Sequence, residues 1–131
     1  MCTPISKFIY KINKLIGINF YKTYINSLSK ILLKTGININ TSPVLDLIKK
    51  DAHRIIGDRS FSNNVNIVNK LGNLCVSVYK KNKIGTVVKH IPGHGSANLD
   101  SHFKLPKIKN TQKLLKKKDF KCFKGVSSFF A

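Results

Sequence analysis

The apolar residues of this chain switch repeatedly between helical and strand spacing, and that switching limits what it can fold into. From Tyr21 to Thr35 the spacing is helical, with Tyr21, Tyr24, Ile25, Leu28 and Leu32 on one face. Gly36 follows where a C-terminal helix cap belongs. Ile37–Thr41 then alternates as a strand does. A second helical stripe covers Asn66–Lys81, with Ile67, Leu71, Leu74, Cys75 and Val78 inward, and an apolar strand follows over Gly85–Lys89. Leu45–Ile56 reads as loop or short helix, Thr111–Lys118 as a third helix, and Gly125–Ala131 as the start of a third strand. Helix–strand–helix–strand order predicts an α/β fold with a parallel sheet, because parallel strands need a long crossover between them. No internal repeat and no second domain is visible.

The first twenty residues form a basic amphipathic segment, distinct from the remainder at 21–131. Ile5, Phe8, Ile9, Ile12, Leu15 and Ile16 take one side, and Lys7, Lys11 and Lys14 the other. Such a stripe is more often packing surface than a membrane-surface helix. Lysines interrupt any apolar core long enough for a secretory signal, and no run of eighteen apolar residues exists, so no membrane span is expected. Cys2, Cys75 and Cys122 are odd in number and far apart, which indicates no disulfide framework and fits a reducing cytoplasm. Cys75 lies on an apolar helix face and reads as a small core residue.

The strand at 84–88 runs directly into KHIPGHGSANLDSH, residues 89–102. Three of the chain's four histidines fall in that stretch, and this clustering marks it as the candidate site. A buried strand that ends in a polar, glycine-bearing loop fixes the backbone while the loop presents reactive groups. Gly93 and Gly95 can take positive φ, and Pro92 keeps Ile91 extended. Lys89 and His90 stand at the strand end, where both could reach a polar ligand. Asp100 and His102, two apart, can pair carboxylate to imidazole, which sets the ring's tautomer and raises its basicity, as a general acid/base needs. His94 reads as holding the loop's shape, and Asp46, at the end of the earlier strand, as a helix cap or turn former. His90, His94, Asp100 and His102 are also metal-ligand types, but the proline and glycines forbid the helix that would bring an i, i+4 histidine pair together.

KHIPGHG, four residues, then DSH resembles the signature of the bacterial β-N-acetylhexosaminidases of glycoside hydrolase family 3. GININTSPVLDL (36–47) is similar to that family's strand with a Pro-Val-Leu-Asp end. IGDRSFSNN (56–64) is similar to the segment that supplies a sugar-binding arginine. The three motifs occur in family order and at family spacing, over roughly residues 20–108. The resemblance implies that Arg59, Lys89 and His90 hold the hydroxyl and acetamido groups of N-acetylglucosamine. It implies that His102, paired with Asp100, is the general acid/base. The reaction implied is retaining hydrolysis of terminal β-linked N-acetylglucosamine from peptidoglycan fragments through a covalent glycosyl-enzyme. The amino sugar is the expected partner, and no metal or organic cofactor is implied.

The same resemblance implies a (β/α)₈ TIM barrel, of which this chain is an incomplete part. A complete barrel takes about 250 residues, against 131 here. The family's nucleophile is an aspartate on a later strand. The only acidic residues are Asp46, Asp51, Asp58, Asp100 and Asp119, and none matches that motif. The family's early acidic, glycine-rich sugar-binding segment is absent too. The fragment is therefore expected to be inactive alone. It could be one product of a split gene, completed by a partner chain with the remaining strands, or a pseudogene remnant.

A net charge of +19 raises a rival reading, a nucleic-acid-binding protein. Nine lysines lie within 104–124, interleaved with Phe103, Phe120 and Phe123. Against it, the charge is spread along the whole chain, only two of the cations are arginine, and no nucleic-acid motif appears. Lysine richness from biased composition accounts for the charge, so no specific nucleic acid is expected.

Overall fold

Asn13 starts the first helix, α1 (Lys14–Lys34), in a computed structural model that describes residues 10, 12–47, 56–91, 93–97, 99, 105–108 and 110–126. The Asn13 side-chain oxygen accepts from the N–H of Leu15 at 3.0 Å and of Ile16 at 3.1 Å, two donors that a helix start leaves unsatisfied. The helix thus begins at Lys14 rather than Tyr21, because the asparagine cap outweighs the change of stripe. Tyr21 and Ile25 are buried, and Tyr24, Leu28 and Leu32 pack against the core, as their spacing predicts. Ile12, Leu15 and Ile16 instead face solvent, since no described element covers that end.

Gly36 ends α1 as expected. Its φ is +78°, its N–H donates to the Leu33 carbonyl at 3.1 Å, and Ile37 N–H donates to Leu32 at 2.8 Å. These paired bonds reverse the chain and satisfy two last-turn carbonyls. Strand β1 (Ile39–Asn40) follows. The second helix, α2 (Val65–Lys81), is capped by the Asn64 side chain, which accepts from Asn66 and Ile67. Strand β2 (Gly85–Thr86) comes after it. Both strands are shorter than the five residues read for each from the sequence. Two further helices, α3 (Gln112–Lys117) and α4 (Asp119–Lys124), replace the single helix read at 111–118. Of Gly125–Ala131, read as the start of a third strand, Gly125 and Val126 form the turn that ends α4, and 127–131 lie outside the described residues.

The two strands pair in parallel, Ile39 with Gly85 and Asn40 with Thr86. The pairing extends through a bridge between Val44 and Lys89. α2 packs against α1, β2 and α4. Val68, Leu71, Cys75, Val76, Val78 and Tyr79 are all at most 5% exposed, and a fully buried side chain of the larger apolar types contributes about 1.5–3 kcal/mol. Polar ties fix the packing: Asn82 donates to Asn26 at 2.8 Å and Asn40 donates to the Tyr79 hydroxyl at 2.8 Å. This is the α/β class with parallel pairing. Ile39 and Val87 remain 59% and 47% exposed, whereas parallel sheets are normally covered on both faces. No described helix is long and apolar enough to cross a membrane.

Candidate active site

The segment after β1 and the segment after β2 run side by side. Lys89 N–H donates to the Pro43 carbonyl at 3.2 Å, and Leu45 N–H donates to the Lys89 carbonyl at 2.8 Å. This lays Val44, Leu45 and Asp46 beside Lys89 and His90. The Ser42–Pro43 and Lys89–His90 peptides are both cis. Lys89 sends its Nζ to the Thr41 hydroxyl at 3.1 Å, so the two strand ends are joined by side chains as well.

Asp46 is the hub, and its position corrects its reading as a cap or turn former. It is 1% exposed. Its Oδ2 lies 2.7 Å from His90 Nδ1 and accepts from His90 N–H at 3.1 Å. Its Oδ1 accepts from the N–H of His94 at 2.6 Å and of Gly95 at 3.3 Å. A carboxylate offers about four lone-pair sites, and all four are engaged on one loop. Burial of a charge is tolerated only with such complete pairing. Behind it, the Ser60 hydroxyl, itself buried, donates to the Asp46 carbonyl. Ser60 follows a 3₁₀ turn, Gly57–Arg59, so Arg59 is joined to the hub through its neighbour's hydrogen bond.

The two loop glycines act differently from each other. Gly93 has φ +118°, and a Cβ there would stand 2.9 Å from the Asp119 Cβ. Gly95 has no positive φ; it is needed because a Cβ would be driven into the Leu47 carbonyl. The expectation of positive φ thus holds for Gly93, whereas close backbone approach explains Gly95. His94 is held through its N–H, and its ring centroid lies 6.0 Å from that of His90, in keeping with a loop-shaping role. Asp119 is 2% exposed at the start of α4, under the loop. Cys122, one turn on, has its thiol pushed up to about 11, by burial first and then by the charges of Asp119 and Asp46.

Of the sequence-derived site residues, Lys89 and His90 stand together at the end of β2, and Arg59 sits half-buried in its 3₁₀ turn. Asp100 and His102 lie outside the described residues. Among the described residues, no group of three or more metal-ligand side chains occurs, and His90 Nδ1 is committed to Asp46. Asp46 and Ser60 are the positions that sequence reasoning missed. One signal was present: an aspartate set between Val44-Leu45 and Leu47, a charge inside an apolar run.

Polar side chains gathered where parallel strands end define the general class: an α/β protein with a candidate site at the strand ends. Comparison with known proteins then gives the family. Residues 12–126 match the Glycosyl hydrolase family 3 N terminal domain, and the chain belongs to that family. Beta-hexosaminidase A of Pseudoalteromonas piscicida is 33% identical over 109 residues, covering 82% of this chain and 18% of that protein. A Beta-hexosaminidase of Hydrogenovibrio crunogenus is 39% identical over 74 residues, covering 56% of this chain and 20% of that protein. Native NagZ from Neisseria gonorrhoeae superposes with a TM-score of 0.86 at 27% identity, over 95% of this chain and 36% of that one. The same NagZ has been solved in complex with N-trifluoroacetyl-D-glucosamine. The chain therefore spans 18–20% of the length of these two curated relatives. It resembles the family's hydrolases, and by homology to NagZ it is part of a barrel-type α/β domain.

Proposed function

We propose that this chain supplies the amino-sugar-binding part of a retaining β-N-acetylglucosaminidase site. Arg59, Lys89 and His90 hold N-acetylglucosamine, and His102 with Asp100 acts as the general acid/base. The observation that carries the reading is the locked loop. Asp46 ties down His90, His94 and Gly95 at the strand end, where a barrel presents its site, and the family match covers all of these positions. The whole protein would cleave terminal β-linked N-acetylglucosamine, with peptidoglycan fragments in the cytoplasm as the natural substrate. His102 would protonate the leaving oxygen and then take a proton from the attacking water.

A retaining glycosidase needs a second carboxylate as nucleophile. Asp46 has its lone pairs engaged and Asp119 is buried under the loop, so neither can attack a sugar. Asp51, Asp58 and Asp100 match no nucleophile motif of the family, so the nucleophile would come from further barrel strands, which would also cover the exposed Ile39 and Val87. These 131 residues bind the sugar without turning it over. Titration of the chain with N-acetylglucosamine, followed by amide NMR, should shift Arg59, Lys89 and His90, while a chromogenic β-N-acetylglucosaminide stays intact. Absence of any shift at high millimolar sugar would end the proposal.

A further inference from the structure

Asp46 does more than hold a loop. Three of its four partners are backbone N–H groups, which can only donate, and they occupy both oxygens. A carboxyl so surrounded is held as the carboxylate. The fourth partner, His90 Nδ1, must then carry a proton to make its 2.7 Å contact. In the neutral ring the other nitrogen, Nε2, is left with a lone pair. The carboxylate side of this pair is 0% exposed, while the His90 side chain is 37% exposed. The Nδ1 edge of the ring faces Asp46, and Nε2 stands on the other side of the ring.

We propose that Asp46 is a positioning residue that fixes neutral His90 as the Nδ1–H tautomer, so that His90 presents a hydrogen-bond acceptor at Nε2 while its sequence neighbour Lys89 presents a donor. The inference rests on the sugar-binding reading and refines it. Lysine has three donors and no acceptor. A neighbouring donor and acceptor suit hydroxyl groups, which both give and take a hydrogen bond. An acceptor-only group, such as a carboxylate, a phosphate or an ether oxygen, would satisfy Lys89 and leave His90 facing a second lone pair.

The test uses the full chain with ¹⁵N-labelled histidine, at a pH where the His90 ring is neutral. Long-range ¹H–¹⁵N correlation should give a pyrrole-like shift at Nδ1 and a pyridine-like shift at Nε2. In Asp46→Ala the acceptor that holds the Nδ1 proton is gone, so the pattern should move toward the Nε2–H tautomer that an unrestrained imidazole favours. A pyridine-like Nδ1 in the wild-type chain, or an unchanged pattern in D46A, overturns the proposal. Should D46A fail to fold, the wild-type Nδ1 and Nε2 shifts decide alone. Titration with N-acetylglucosamine and with its O-methylated derivatives separates the two ideas. If no sugar binds, the sugar-binding reading fails while the tautomer result stands; if the methylated sugars bind equally well, the acceptor role of Nε2 fails alone.

Discussion

The Asp46 carboxylate and the His90 imidazole meet at 2.7 Å, although 44 positions separate them in the chain. Their contact, together with the amides of His94 and Gly95, turns a flexible glycine-bearing sequence into a fixed loop. The sequence suggests one aspartate–histidine pair, Asp100 with His102. The structure adds a second, built from two strand ends.

Gly95→Ala should destabilise the chain by about 1–3 kcal/mol or more, because the new methyl meets the Leu47 backbone, which cannot move aside as a side chain can. Urea unfolding measures the loss. A variant as stable as the parent would show that the approach of residue 95 to Leu47 is looser than described.

Ser60→Ala removes the buried donor to the Asp46 carbonyl. An acceptor left unpaired in the interior costs about 1–3 kcal/mol. The same unfolding experiment should show that loss, and the amide resonances of His94 and Gly95 should shift with it. A stability change confined to a few tenths of a kcal/mol, with no shift in the loop, would detach Ser60 from the hub.

Alkaline pH should weaken the fold. Burial, followed by its Cys75 neighbour, pushes the Tyr79 hydroxyl up to about 12 from 10.0, and Cys122 rises to about 11 from 9.0. Both groups keep their protons longer in the folded chain than in the unfolded one. Their contribution is full below pH about 9 and is lost as pH climbs through 11 to 12. A melting midpoint that falls over that window is expected, and Cys122→Ala should flatten its lower part. A midpoint independent of pH between 9.0 and about 11 would contradict the burial of the thiol.

Arg59→Ala and Lys89→Ala should each weaken binding of N-acetylglucosamine about tenfold or more, the scale of one charge-assisted hydrogen bond. The fold should survive both, because neither side chain is fully buried. NMR titration gives the affinity and circular dichroism checks the fold. Wild-type affinity in both variants would remove the two cations from the sugar site.

In an active assembly that contains this chain, His102→Ala should slow turnover by about 10²–10⁴-fold, the usual contribution of a general acid/base, while ground-state sugar binding persists. Steady-state kinetics with a chromogenic substrate provides the check. Unchanged turnover would exclude His102 from the mechanism.

By itself the sequence determined the helix stripes, the Gly36 reversal, the α/β order and the family motifs, including Arg59, Lys89 and His90. These rest on contacts within about four residues along the chain, or on short strings of side chains, which a sequence displays directly. Even there, the start of α1 moved to Lys14, because the asparagine cap acts on a single turn and is hidden by an apolar stripe that crosses it. Only the tertiary structure decided the role of Asp46. Three of its four bonds come from backbone amides of His90, His94 and Gly95, and an amide donor is the same for every residue but proline. No side-chain pattern marks such partners. They become visible only when parallel pairing brings the ends of β1 and β2 together, which places a charged group where burial without four donors would be prohibitive. The use of Gly95 was decided in the same way: its sequence context suggests a turn, but the reason for a glycine there is the passing backbone of Leu47.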